Sequence, residues 1–372
     1  MKYTFSIIDL FPYILLFILF ILVGKNNMKS TIKAKRAFIV ILLFDCLRYG
    51  VGYDYLGYVN AVYNQTQFYD MDQYTEPLSQ VLLYIAHCTH YQVFFILSSF
   101  LTLFPIYLFC KKHSLDPYLS LFVYLCFPFF FLSGTSVIRN AIAYSMVIMA
   151  LYYLLKNRII FAILFNIIAI GFHNSAFVGL LIYPIYYLHF GRKDAIIIYI
   201  ISITISSLIV TKFSFLFSGL SFYWKLEHYS EDVESGGQTI TFVINFICIV
   251  MLFFWDKIKK YDNSSPLYLR LAIVGVCIWN IFMPLNSHMA DRFSTFFFIY
   301  FIILFPSLVY SFRNQVIRKL SVTFFILIFL STFVISINAF VNGNSDKMSS
   351  IPYQLFFIHT NYSNIYLNNP YE

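Results

Sequence analysis

Residues 36–54 read RAFIVILLFDCLRYGVGYD. A run rich in isoleucine, leucine, valine and phenylalanine stops at Leu47. Arg48 and Asp54 then stand six residues apart, and the tyrosine-rich stretch YLGYVNAVYNQTQFYDMDQYTEP (55–77) follows. Such a run, ending in opposite charges and tyrosines, reads as a helix leaving a hydrocarbon layer. The rest of the chain repeats the pattern of apolar run and polar turn.

Composition points the same way. Of the 372 residues, 60% are hydrophobic and 21% aromatic, and only 11% are charged. A soluble domain carries about 25% charged residues, so a polytopic membrane protein is the expected class. The first apolar run lacks a small-residue cleavage site and is followed by many others, so it reads as a span rather than a signal peptide.

A span needs about 20 apolar residues. The runs near 5–23, 34–47, 91–110, 118–134, 137–155, 159–172, 175–190, 194–212, 239–255, 266–285, 293–311 and 320–340 predict an all-α protein of about twelve transmembrane helices. None of these runs has a charge obviously at mid-membrane. The net charge of +8 is spread as short clusters: Lys25 to Arg36, Lys111 and Lys112, Lys156 and Arg158, Arg192 and Lys193, Lys257 to Lys260, and Arg313 to Lys319. These fall at every second turn, which is topology rather than a nucleic-acid-binding face. The positive-inside rule puts them in the cytoplasm and both termini outside.

PLSQVLLYIAHCTH (77–90) tempts a spanning assignment, which would invert everything after it. At about 1.5 Å per residue its 14 residues reach only about 21 Å. It reads as a re-entrant or interfacial helix on the outer side, with Pro77 near its start; the alternative is that it spans and that the first or second span is not one. Residues 1–340 then form one helical membrane domain with long outer loops at 48–90 and 213–238, and 341–372 form a polar extracytoplasmic tail. Cys46, Cys88, Cys110, Cys126, Cys248 and Cys277 have no metal-like spacing and read as small buried side chains. No acidic cluster points to a metal and no glycine-rich loop to a nucleotide, so no metal or cofactor is expected.

This topology gathers the remaining odd charges on the outer side: Arg48, Asp54, Glu76, Arg139 in SGTSVIRNAIA, His173 in GFHNS, and Asp291 and Arg292 in SHMADRF. Each has a plainer explanation. The arginines can snorkel to headgroups, Asp291 and Arg292 can pair locally, His173 can be a structural hydrogen-bonding group, and the glycines can serve a tight turn. Together they suggest an anion pocket with an acid–base group. Arginine forks suit phosphate oxygens. Tyr49, Tyr53, Tyr55 and Tyr58, with Asn140 and Asn174, suit sugar rings. A lipid-linked sugar is the substrate class that fits an outer membrane edge.

At these residues the chain resembles the EpsG family of exopolysaccharide polymerases, relatives of Wzy-type O-antigen and capsule polymerases. RYGVGYDYLGY (48–58) resembles the family's Arg-Tyr-x-x-Gly-x-Asp-Tyr-x-x-Tyr pattern, and Glu76–Pro77 its acidic-proline pair. Arg139 opens a small-residue helix, with Asn140 where many members have glutamine. FHNS (172–175) and ADRFSTFF (290–297) complete the set, over about residues 5–320. The resemblance implies a metal-independent GT-C-like glycosyltransferase of the bacterial cytoplasmic membrane. It would move an undecaprenyl-pyrophosphate-linked glycan onto the non-reducing end of a lipid-linked repeat unit outside.

The implied partners are lipid-linked donor and acceptor and membrane lipids, with a chain-length regulator and a flippase as further candidates and no nucleic acid. Arg139, Arg292 and Arg48 are the candidates for charge stabilisation. His173 is the candidate base, with Asp54, Glu76 and Asp291 as rivals that could instead orient it or hold an arginine. Glu76, the tyrosines and the two asparagines are candidate substrate contacts. The rival functions are a ligase-like membrane transferase, a carrier of lipid-linked oligosaccharide, which needs charges on a path through the membrane, and an export scaffold.

Overall fold

The protein is described by a computed structural model that covers residues 7–25, 28–52, 54–63, 76–208, 237–342, 350–351 and 353–358. Tyr53, most of the loop 213–238 and residues 359–372 lie outside these. The chain divides into two compact units, Met1–Asn174 with Ile326–Glu372, and Ser175–Phe325.

The first unit holds α1 (Phe11–Gly24), α2 (Ser30–Cys46), β1 (Arg48–Tyr49), α3 (Tyr55–Tyr63), α4 (Pro77–His87), α5 (Tyr91–His113), α6 (Pro117–Cys126), α7 (Phe131–Ser136), α8 (Ile138–Leu154), α9 (Ile159–Phe172) and β2 (Gln354–Leu355). The second holds α10 (Ile182–Tyr187), α11 (Arg192–Leu208), α12 (Gly237–Phe253), α13 (Trp255–Tyr261), α14 (Ser265–Phe282), α15 (Ser287–Phe298) and α16 (Phe301–Tyr310). A 3-10 helix, Asn174–Leu181, joins α9 to α10, and α17 (Gln315–Asn342) runs from the second unit back into the first.

The result is an all-α, largely hydrophobic bundle with one two-residue strand pair. Three helices are long and apolar enough to cross a membrane: α5, α14 and Gln315–Ile337 of α17. The number rises to five if Thr239–Phe253 with α13, bent by 64°, and α15 with α16, bent by 52°, each form one span. These counts concern the described residues. Four shorter helices, α1, α6, α8 and α9, are apolar as well, and large apolar side chains are exposed on several helices. Ile160 on α9 is 78% exposed, and Phe11, Ile21, Ile167, Ile197 and Ile200 are also exposed. Exposed apolar side chains of this size and number suit contact with hydrocarbon.

Several runs that read as continuous spans are broken here. In 118–134, Phe127 turns extended (φ −82°, ψ 115°) directly before Pro128, as a residue preceding proline is driven to do. The run 175–190 starts inside the eight-residue 3-10 helix Asn174–Leu181 and continues as the six-residue α10, which stops at Tyr187. The segment 77–90 is an 11-residue helix, α4, with Pro77 at its start, so at about 1.5 Å per residue it is about half as long as the ~30 Å hydrocarbon core.

Helix starts carry their own signals. The Asp116 carboxylate accepts the Leu119 N–H at 3.1 Å, and the Asn286 Oδ1 accepts the Met289 N–H at 2.9 Å. α8 is the centre of the first unit and is buried on nearly every side. Ala141, Ala143, Ser145 and Ala150 let its neighbours come close. The cysteines are unpaired and five are buried. Cys88 departs from that expectation, because it caps the exposed end of α4.

Candidate functional site

Glu76 precedes Pro77 and ends the loop before α4. Its backbone carbonyl accepts the N–H groups of Ser79 and Gln80, at 3.0 and 3.1 Å, which starts the helix. Its carboxylate reaches two other elements. Oε2 lies 2.5 Å from Nη1 of Arg139, the second residue of α8. Oε1 accepts the backbone N–H of Asn174 at 2.9 Å, just past the end of α9. The glutamate side chain is 6% exposed and the arginine 26%. A buried carboxylate with a cation and an amide donor on its two oxygens has the partners that burial demands.

The packing behind this contact is close. The Ser79 hydroxyl donates to the Phe172 carbonyl at 2.9 Å. A Cβ at Gly171 would press into the Leu78 side chain, so glycine lets α4 lie against the end of α9. On the other side, the His87 imidazole Nδ1 is 2.7 Å from the Val62 carbonyl, which ties α4 to α3. His173 sits between these contacts. It is half-buried, its backbone is extended (φ −158°, ψ 127°), and its N–H closes α9 on the Ala169 carbonyl at 3.0 Å.

Tyr58 and Asp54 approach the same arginine from α3 and the turn before it. The Tyr58 hydroxyl bonds with Arg139. Burial pushes that hydroxyl above its ordinary pKa against the pull of Arg139, so it meets the guanidinium as a neutral phenol. Asp54 is near enough to act on Arg139 electrostatically. Asn140, next on α8, is buried, while Asn174 is exposed.

Arg48 lies elsewhere in the first unit and is 1% exposed. It pairs with the Asp45 carboxylate one helical turn back, donates to the Asp45 carbonyl at 2.8 Å and the Ser99 hydroxyl at 3.3 Å, and lies 5.3 Å from the centre of the Phe95 ring. Its strand, β1, pairs antiparallel with β2, Arg48 opposite Leu355 and Tyr49 opposite Gln354. Tyr353 stacks on Phe44 at 4.0 Å and donates to the Phe44 carbonyl at 2.5 Å. Tyr55 stacks on Phe95 at 4.4 Å and Tyr58 on Phe94 at 4.7 Å, so these rings, like buried Tyr49, serve packing. Gly52 has φ +110°, and a Cβ there would collide with the Thr135 carbonyl. The RYGVGYD turn therefore needs that glycine.

In the second unit, Asp291 and Arg292 lie in the first turns of α15. The Thr295 hydroxyl donates to the Asp291 carbonyl at 2.6 Å. Arg292 is half-buried and has no hydrogen-bond or ion-pair partner among the described residues. Two polar features escaped the sequence analysis. Arg270, buried inside α14, donates to the Leu188 carbonyl at 2.8 Å. Tyr199, Asn245 and Asn280 join α11, α12 and α14 through bonds of 2.8 to 3.0 Å. Single asparagines inside apolar runs were the available signal, since amides there bond across helices. Among the described residues no group of three or more His, Cys, Asp or Glu side chains is placed to hold a metal ion.

The family model described as EpsG family matches residues 36–355, and the chain belongs to that family, a group associated with glycan-related membrane proteins. The match begins in α2 and ends on the last residue of β2, so it takes in the strand that pairs with Arg48 and Tyr49. No curated protein and no solved structure matches the chain.

Proposed function

We propose that this member of the EpsG family is a polysaccharide polymerase of the bacterial cytoplasmic membrane. It transfers a glycan from undecaprenyl pyrophosphate to the non-reducing-end sugar of a lipid-linked repeat unit at the outer face. About twelve passes, counting short and broken helices, in a GT-C-like arrangement with both termini outside belong to the same proposal. The observation that carries it is the convergence of Arg139, Glu76 and the His173–Asn174 turn in an apolar-surfaced member of a glycan-associated family.

The reaction is displacement at an anomeric carbon. The bond from C1 to the phosphate oxygen breaks, and the acceptor oxygen bonds to C1. The acceptor proton passes to a base, for which His173 is the candidate because an imidazole near pKa 6.5 works at neutral pH. Undecaprenyl pyrophosphate leaves with the bonding electrons. Charge grows on it as the bond breaks, so a guanidinium held beside it stabilises the transition state more than the ground state. Arg139 takes that role, and Arg292, in the second unit, stays a candidate for it. Arg48, buried on Asp45, keeps the loop that carries Asp54 in shape. Asn140 and Asn174 remain candidate sugar contacts, as does Tyr53. The donor supplies the energy, so the chemistry needs no nucleotide and no divalent metal.

The test is polymerisation by purified protein supplied with lipid-linked repeat units, without nucleotide or added metal. Chains of several repeats are the expected product. Addition of glycan only to a non-lipid acceptor would replace the polymerase by a ligase-like transferase.

A further inference from the structure

Glu76 stands apart from the other acids of the first unit. Its carboxylate is almost wholly covered at 6% exposure, yet both oxygens are engaged by parts of the chain far from it and from each other. One partner is a side chain at the start of α8, 63 residues away. The other is a backbone amide past the end of α9, 98 residues away. A group so covered has little surface left for a sugar, and what it does it does through its partners.

We infer that Glu76 is a positioning residue. Its two oxygens fix the Arg139 guanidinium and the backbone of the His173–Asn174 turn at one separation, so that arginine and histidine meet the substrate as a unit. A carboxylate spans about 2.2 Å between its oxygens, set by its covalent geometry, so the distance between the two partners is set as well. The pair also anchors one nitrogen of the guanidinium, and the Tyr58 hydroxyl bonds with the same side chain, which leaves the remaining N–H donors of its five to face an anion. A lysine at residue 139 would lose that division of labour, and so would a glutamine at residue 76. The kinetic side of this inference rests on the polymerase reading.

Four variants of the full chain test it: Glu76→Gln, Glu76→Asp, Arg139→Lys, and Glu76→Gln with Arg139→Lys. Glutamine keeps length and can still accept the Asn174 N–H, but it loses the charge that holds Arg139. Aspartate keeps the charge and is one methylene too short to reach both partners. A misplacement of about 1 Å costs about 10²-fold in rate. Glu76→Gln is expected to lower kcat about 10- to 100-fold, with KM for the lipid-linked donor changed less than about threefold. Glu76→Asp is expected to recover part of the loss. The double variant is expected to be no slower than the slower single one, because both act on the same guanidinium. Turnover within about twofold of wild type for Glu76→Gln, or losses that multiply in the double variant, overturn the inference.

A second readout does not depend on the reaction. Hydrogen exchange of peptides covering residues 170–178 is expected to be faster in Glu76→Ala than in wild type, as the Asn174 amide loses its acceptor. Unchanged exchange overturns the clamp. If wild-type protein makes no polymer while exchange responds as expected, the polymerase reading falls and the clamp stands.

Discussion

Arg139 and Glu76 are 63 residues apart in sequence, and Nη1 of the arginine lies 2.5 Å from Oε2 of the glutamate. The contact is charge-assisted and sits where the arginine is partly exposed and the acid is covered. A snorkelling arginine would end among headgroups, while this one ends on protein. That difference supports the site proposed at the start of α8.

The Asp45–Arg48 pair makes a prediction about stability. Both side chains are buried, and removing one leaves an uncompensated charge. Asp45→Ala is expected to cost about 3–5 kcal/mol. Asp45→Leu combined with Arg48→Met should cost less than Asp45→Ala alone. Thermal unfolding of the purified variants decides. A double variant less stable than Asp45→Ala would contradict the pairing.

Gly52 and Gly57 lie five residues apart and should respond oppositely to alanine. Gly52 has φ +110° and faces the Thr135 carbonyl. Alanine there is expected to cost about 1–3 kcal/mol. A Cβ at Gly57 meets nothing within 4 Å on α3, and alanine there is expected to stabilise by up to about 1 kcal/mol. Equal melting temperatures for the two variants would contradict the turn geometry.

What could be read beforehand was mostly local. Pro77 starts α4 because proline suits a first helical turn, and Asp116 caps α6 from the residue before Pro117. Sidedness of the charges brought Arg139, Glu76 and His173 to one region, but no spacing rule says that Glu76 bonds both Arg139 and the turn beyond His173. Asp45 stood in plain view in LLFDCLR. Its partnership with Arg48 is an i,i+3 relation hidden by the apolar run around it. The pairing of β1 with β2 links residues on either side of 304 others, and four residues carry too little pattern to announce it. The break at Phe127 was legible in principle, since Pro128 follows it. Hydropathy averaged over a span passes over such a kink.

Topology is open to chemistry. Positive-inside counting predicts residues 60–70 outside and 25–36 and 313–319 inside. The measurement is labelling of single introduced cysteines in intact cells with an impermeant thiol reagent. It needs a background in which Cys88, the exposed native thiol, is replaced by serine. Labelling at residue 30 but not at residue 65 would reverse the orientation and remove the outward site.

His173→Ala separates chemistry from packing. As the base, His173 should contribute about 10²–10⁴-fold to turnover and little to donor affinity. As a structural group, its loss should lower stability by about 1–3 kcal/mol and leave specific activity intact. Turnover per folded molecule, measured beside the melting temperature, distinguishes the two. Near-normal turnover would pass the role of base to Asp54 or Asp291.

The central claim is that Arg139, held by Glu76, stabilises the leaving pyrophosphate. Lysine keeps the charge at residue 139 and loses the fork. The direct measurement is polymer formed by purified Arg139→Lys protein and by wild type at matched amounts of folded protein. A fall of about 10²-fold or more, with the melting temperature preserved, is the predicted result. Wild-type polymer yield from the lysine variant would contradict the claim.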